Sequence, residues 1–404
     1  MMLLLITGAM LQLKTATART GRSEHVVLVI IDGLRYTEGL GDPNHTFVPE
    51  MWRLAQQGAI VEPFLNDGFT YTSRAIPAIW CGAWTDIRQF DDPDCGGLGN
   101  NYTELPTIFE YYRKEFSNPA EDCIYILKDV GCPWKASLDP DYGRDYWPLY
   151  HSVGSSDLDV WHEAKMILEA FTPTFSLIYL AEVDHAGHSG DWDYYTRSIA
   201  IADSVVGLIW EYVQTNAHYA GTTTMFVTND HGRHTRDFSG HGDDCDGCRT
   251  IQLLAVGPNV KAGLVSTVPR TLRDITPTIG ELLGFRTEKA TGRAMTELFN
   301  ETNVLAKRNR EQRSELSLCA VPNPFNPATM LYFKIATPGE AHITIYDVSG
   351  KRVASLSRGF LNIGEHQWPW TALTPDGRPL PAGVYLIRLS TAGESTTQRV
   401  VLLK

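Results

Sequence analysis

The chain has 404 residues with 43% hydrophobic content, enough for a large core and more than one domain. Its formal net charge of -12 argues against nucleic acid or an anionic membrane surface as the main partner. A small anionic substrate stays compatible with that charge, because a metal ion reverses the local sign of a site.

In chain order, "MMLLLITGAMLQLKTATART" reads as a secretory signal over residues 1–18. Its apolar stretch is too short to span a bilayer, and "ATA" at 16–18 offers a small-x-small cleavage site. No other segment approaches transmembrane length, so an exported, soluble mature protein is expected. Seven cysteines in such a chain suggest disulfides. The sequence-local pairs would be Cys81 with Cys95, Cys123 with Cys132 and Cys245 with Cys248, leaving Cys319 over.

"VVLVII" (26–31) is a continuous apolar β-branched run, as expected for a strand buried on both faces of a parallel sheet. "FSLIYLAEV" (175–183), "TMFVT" (224–228) and "IQLLAV" (251–256) are similar. Helical patterns lie at 160–171, 193–214 and 274–284. Strand and helix alternating in this way predict an α/β domain over 24–300. Residues 301–318 are polar and mixed in charge, a linker. Short alternating segments punctuated by Pro and Gly then predict a small all-β sandwich over 319–404.

Three of the apolar runs lead into an acid: Asp32, Asp184 and Asp230. Ligands gather beyond the carboxyl ends of strands in open α/β sheets. Any single strand-end Asp can equally cap a helix or start a turn. Here histidines follow closely: "DHAGH" sets Asp184 and His188 four apart, "NDHG" sets Asp230 beside His231, and "SGHG" adds His241 between glycines. Carboxylate oxygen and imidazole nitrogen suit zinc and related divalent ions, and three of each suffice for two. Paired metals are a device for in-line displacement at phosphorus. The segment "GFTYTSRAIPAIWCG" (68–82) supplies hydroxyls at Thr70, Thr72 and Ser73, which would otherwise be helix-starting chemistry. Beside a divalent cation, Thr72 becomes a credible nucleophile.

Taken together, "VVLVIIDGLR", "TYTSRAIPAIWCG", "VDHAGH", "TNDHG", "GHGDD" and "RDITPTIGELLG" resemble the alkaline phosphatase superfamily, especially its nucleotide pyrophosphatase/phosphodiesterase-like and sulfatase-like branches. The resemblance implies an α/β/α sandwich with a mostly parallel sheet and two divalent metal ions, zinc first among them. One ion would be held by Asp32, Thr72, Asp230 and His231, and the other by Asp184, His188 and His241. It also implies a phospho-threonine intermediate at Thr72 and a small-molecule phosphoester substrate, either monoester or diester. His234 is the rival to His241 for the last ligand position. The Asn that helps bind phosphoryl oxygens in many phosphodiesterase-like members has no counterpart after Thr72, where Arg74 could serve or could be a surface side chain. Sulfatase activity is disfavoured, since that branch needs Cys or Ser at the nucleophile position. A phosphotransferase, a phosphonate hydrolase, or a non-enzymatic display protein are the alternatives.

The tail, through "PNPFNP", "YDVSGKRV", "AGVYLIRL" and "VVLLK", resembles the Ig-like sorting domain of type IX secretion, akin to the flagellar hook-capping Ig-like fold. This implies a bacterial protein carried out of the cell, or held on its surface, by outer-membrane secretion machinery.

Overall fold

The structure is a computed structural model that describes residues 23–90, 100–128, 134–154, 156–300, 316–335, 339–348, 351–362, 364–374, 377–391 and 395–403. The expected signal segment, residues 301–315 of the expected linker, Cys95 and Cys132 lie outside the described residues, while residues 317 and 318 of that linker already belong to a strand. The chain divides into two compact units, Met1–Asn300 and Glu301–Lys404. Among the described residues, no helix is long and apolar enough to cross a membrane.

The first unit is built on an eight-stranded sheet. In chain order its strands are β1 (His25–Ile31), β2 (Ala59–Val61), β3 (Cys123–Lys128), β4 (Leu149–Val153), β5 (Phe175–Leu180), β6 (Thr223–Thr228), β7 (Leu253–Val256) and β8 (Leu264–Ser266). Their spatial order is β8-β2-β7-β6-β1-β5-β3-β4. The central strands β6, β1, β5, β3 and β4 are all parallel, while β7 runs antiparallel to β6 and β2. Of the run at 251–256, residues 253–256 are therefore a strand of this sheet facing the opposite way from its neighbours, while Ile251 pairs with Phe64 in a separate small sheet.

Alternation along β1 explains the layering. Val26, Leu28 and Ile30 join one core with α2 (Thr72–Cys81) and α3 (Ile108–Phe116). Val27, Val29 and Ile31 join the other with α1 (Pro49–Gln57), α4 (Asp157–Phe171) and α6 (Trp192–Thr215). Every residue of β1 is buried, which removes the polar alternation of a one-sided strand and leaves a solid apolar run.

The run at 175–183 breaks earlier than its hydropathy suggests. β5 stops at Leu180, and Glu182–His188 forms a separate helix, α5, so Asp184 sits inside a helix rather than at a strand end. Buried Asp157 sets this boundary, its Oδ1 accepting from the N–H groups of Ala181 (3.1 Å) and Glu182 (3.3 Å). Its Oδ2 has no hydrogen-bond partner. Burial, then the adjacent Glu182 carboxylate, push the Asp157 carboxyl up to about 7. A raised folded-state value contributes stability below the unfolded value of about 3.9 that is lost as pH rises toward 7. A shift of roughly 3 units corresponds to at most about 4 kcal/mol. Asp157→Asn keeps the Oδ1 acceptor without the buried charge. It should raise the melting temperature at pH 8 and change little at pH 4, as thermal melts would read.

The second unit is a two-sheet β sandwich of strands β9 (Ser317–Val321), β10 (Ala328–Ile335), β11 (Gly339–Asp347), β12 (Arg352–Leu361), β13 (Gly364–Thr371), β14 (Gly383–Ser390) and β15 (Ser395–Leu402). One sheet has the order β9-β10-β13 and the other β12-β11-β14-β15, with antiparallel pairing throughout. Leu331, Ile335, Ile345, Ile387 and Leu389 fill the space between them.

Candidate metal centre

The carboxyl ends of β1 and β6, the start of α2 and the whole of α5 meet at one edge of the parallel sheet. β1 delivers Asp32, whose N–H continues the ladder to Leu180 O at 2.9 Å. The phenol of Tyr179, from the adjacent strand β5, donates to Asp32 Oδ2 and orients the carboxylate. β6 delivers Asp230 and His231, both wholly buried. Thr72 is the first residue of α2, and its Oγ1 lies 3.3 Å from Asp32 Oδ1 and 3.0 Å from His231 Nε2.

Asp230 Oδ1 accepts from the N–H of His231 at 2.9 Å and more distantly from Gly33 at 3.4 Å, whereas its Oδ2 is buried with no hydrogen-bond partner. His231 Nε2 stands 3.3 Å from Asp32 Oδ1 and 3.5 Å from Asp230 Oδ2. Donor atoms of Asp32, Asp230 and His231 all fall within 4.8 Å of one another, the spacing of a ligand set.

A second cluster adjoins the first. One turn of α5 brings His188 Nε2 to 3.2 Å from Asp184 Oδ2, and His241 Nε2 lies 3.5 Å from Asp184 Oδ1. The Nε2 atoms of His188 and His241 face each other at 3.0 Å. The rings of His231 and His241 stack at 4.0 Å, joining the clusters, and donor atoms of Asp184, His231 and His241 also fit within 4.8 Å.

Hydrogen bonds at the far nitrogens fix the tautomers. His231 Nδ1 lies 2.9 Å from Gly232 O, and His241 Nδ1 lies 3.0 Å from Thr70 O. A carbonyl only accepts, so each Nδ1 carries the proton and each Nε2 presents a lone pair to the centre. Burial, then the neighbouring His231 ring, hold His241 well below the usual imidazole range, which keeps it neutral. The carboxylates are strained the other way. Burial, then repulsion from Asp230 and Asp184, raise Asp32, and burial, then Asp184, raise Asp230. Crowded acids and inward-facing neutral imidazoles are the electrostatics of a cation site.

All seven residues singled out from the sequence thus lie in one place. His234 does not reach it: its Nε2 faces Asp243 at 3.5 Å. His185 is exposed on α5. Arg74 is committed elsewhere, with its guanidinium 4.4 Å from the Phe69 ring centroid and bonded to Thr85 O at 3.1 Å.

Three supporting residues escaped the sequence reading. Arg233 is fully buried, donates from Nη1 to Asp184 Oδ1, and reaches Asp184 O (3.2 Å) and Ser239 O (3.3 Å) through Nη2. A Cβ on Gly187 would come within 2.2 Å of Arg233 Cζ, so the glycine of "DHAGH" admits this guanidinium. Asn66 Nδ2 holds Asp230 O at 2.8 Å and Phe69 O at 2.9 Å, tying the α2 approach to β6. Tyr179 is the third. Only Arg233 carried a hint, its adjacency to "NDHG".

A family model described as FlgD Ig-like domain matches residues 330–395. No curated protein matches the chain in sequence. Among solved structures, a 2-O GAG sulfatase aligns with TM-score 0.55 at 11% identity, covering 86% of this chain and 85% of its own. Murine ectonucleotide pyrophosphatase/phosphodiesterase 5, an inactive variant in complex with AMP, aligns with TM-score 0.52 at 14% identity, covering 69% of this chain and 100% of its own. A Bacteroides thetaiotaomicron structure, described in connection with the metabolism of multiple glycosaminoglycans, aligns with TM-score 0.51 at 12% identity, covering 83% and 90% respectively. At such identities the likeness is one of fold.

Proposed function

We propose that this chain, whose first unit has the alkaline phosphatase superfamily fold and whose second contains a FlgD Ig-like domain, is an exported metal-dependent hydrolase of phosphate esters acting through Thr72. The observation that carries the proposal is the position of Thr72 Oγ1, 3.0 Å from His231 Nε2 and 3.3 Å from Asp32 Oδ1, beside a second Asp–His cluster.

The residues present fit divalent metal. Asp230 Oδ2 is a buried acceptor without a donor, and His188 and His241 turn nitrogen toward nitrogen. Asp32, Asp230 and His231 would hold one ion beside Thr72, and Asp184, His188 and His241 the other, with zinc suited to this donor mix. Bound there, such ions lower the pKa of the attacking hydroxyl and neutralise charge on the leaving oxygen. Tyr179 keeps Asp32 turned inward, and Arg233 keeps Asp184 in place. The N-terminus of α2, at Thr72, adds backbone N–H groups and a positive dipole end that favour an anionic phosphoryl group. Attack by Thr72 Oγ1 on phosphorus, with its proton passing to the departing oxygen or to solvent, would expel one ester oxygen as an alcohol and leave the phosphoryl group on threonine. Water would then release it as phosphate from a monoester, or as a phosphate monoester from a diester, and restore the free hydroxyl.

The likeness to a 2-O GAG sulfatase favours sulfate ester cleavage as the second reading. Against it stands the side chain itself. Oxidation of Cys or Ser at Cβ gives an aldehyde, but the methyl group on threonine Cβ would make the product a ketone. For the second unit, its resemblance to a secretion sorting domain and the FlgD Ig-like match support export through outer-membrane machinery.

The test is steady-state hydrolysis of para-nitrophenyl phosphate, its bis-ester and para-nitrophenyl sulfate by metal-loaded protein. Chelator-sensitive release from a phosphate ester is expected. Turnover of the sulfate alone would replace this reading by the second.

A further inference from the structure

Outside this centre, the loop from His234 to Cys248 gathers a different set of donors. His234 Nε2 lies 3.5 Å from Asp243 Oδ2, and donor atoms of His234, Asp243 and Cys248 all lie within 4.8 Å of one another. Cys245 stands beside them, capping the start of the helical turn that carries Cys248. Cys248 is fully buried and Cys245 half-buried, and neither forms a disulfide, contrary to the pairing expected from the sequence.

The backbone is shaped around these atoms. Cys245 precedes the single helical turn Asp246–Arg249, and the Cys248 N–H bonds back to Cys245 O at 3.0 Å, folding Cys-x-x-Cys into a compact knuckle. Asp243 Oδ1 accepts from the Cys245 N–H at 3.1 Å, which leaves Oδ2 facing His234. The knuckle also lies flush on the 233–235 segment. A Cβ on Gly247 would meet Arg233 O at 2.4 Å and Thr235 N at 2.8 Å.

We propose that His234, Asp243, Cys245 and Cys248 form a separate structural metal site for a zinc-like ion, closing the loop that carries His241. Two sulfurs, one imidazole and one carboxylate are a borderline-soft, four-donor set, the composition of a closed tetrahedral zinc site. His241 lies between His234 and Asp243 in sequence, and the loop is tied to the α2 approach by Thr70 Oγ1 donating to Asp243 O at 2.7 Å. An ion here would fix the segment that aims His241 at Asp184. This inference does not rest on the phosphoesterase reading, because its donors include thiols and the Thr72 centre has none.

Cobalt(II) reports the difference. Full-length protein purified under reducing conditions and loaded with cobalt(II) should show a thiolate-to-cobalt charge-transfer band in the near ultraviolet. Asp184→Asn, which disables only the oxygen–nitrogen centre, should retain the band. Cys245→Ser with Cys248→Ser should lose it, together with one equivalent of zinc in metal analysis. Since buried Cys248 could be needed for folding, Cys245→Ser alone and His234→Gln provide milder variants, and each should weaken cobalt binding at least tenfold by band titration. A reduced parent without the band overturns the proposal. So does protein recovered from culture medium whose unreduced mass is two hydrogens light, with Cys245 and Cys248 linked. A parent protein that shows the band but hydrolyses no phosphate ester would instead count against the Thr72 reading alone.

Discussion

Thr72→Ala is expected to remove phosphate ester turnover by on the order of 10⁴-fold while leaving metal bound. A nucleophile that forms a covalent intermediate has no substitute once its oxygen is gone, and such losses run to several powers of ten. Metal should persist because Asp32, Asp230 and His231 still converge within 4.8 Å without the threonine. Thr72→Ser restores the oxygen at the same helix position and should retain turnover within about tenfold of the parent, lowered by the freer χ1 of a side chain lacking the β-methyl. The two variants together separate a chemical role from a structural one. Thr72 also opens α2, but its hydroxyl caps no backbone group there, so alanine should cost little stability. Measuring turnover, metal content and thermal melting on the same preparations checks all three statements. Alanine at parental rate would remove Thr72 from the reaction.

Legibility followed the range of the interactions concerned. β1 and β6 were visible because strands buried on both faces have no polar alternation, and α6 because twenty-four residues of amphipathic pattern outweigh local accidents. β3, "CIYILK", and the partly exposed edge strand β4, "LYHSV", passed unread, being short and flanked by loop-like sequence. α5 was missed as a helix because a single Glu182 is all that interrupts the apolar pattern from β5 through Val183, and the break is imposed by Asp157, more than twenty residues upstream. The inner ligands were readable because strand ends concentrate ligands at one sheet edge, so Asp32 and the Asp230–His231 pair were expected to meet. Their supports were not. Tyr179, Asn66 and Arg233 act through partners 147, 164 and 49 residues away, and nothing local in the sequence marks a buried polar side chain as satisfied. Cys245 and Cys248 misled for a related reason. Two thiols at that spacing suit a disulfide or a metal knuckle equally, and only the approach of His234 and Asp243 distinguishes them.

Metal removal should expose the charge crowding at the centre as a pH-dependent loss of stability. The Asp32 and Asp230 carboxyls are raised by burial, and then by neighbouring carboxylates, in metal-free protein. A raised folded-state value contributes stability below the unfolded carboxyl value of about 4, and that contribution disappears as pH climbs through the folded value. His241 works in the opposite sense. Held low by burial and by His231, it contributes stability above the unfolded imidazole value of about 6.5 and loses it as pH falls. Above about pH 6.5 the imidazole contribution is flat, so the carboxylates alone set the slope there. Chelator-treated protein should therefore melt at progressively lower temperature from pH 6.5 to 8. Metal-loaded protein should not, because the cation favours the ionised carboxylates. At a thousandfold excess over the dissociation constant, each ion should add about 4 kcal/mol. The gap in melting temperature between the two forms should widen across that interval. Asp230→Asn should stabilise the chelated protein at pH 8, by removing a buried charge, and at the same time shrink its response to added zinc. A gap that stays constant from pH 6.5 to 8, or an Asp230→Asn protein that responds to zinc like the parent, would mean that these acids do not hold the metal.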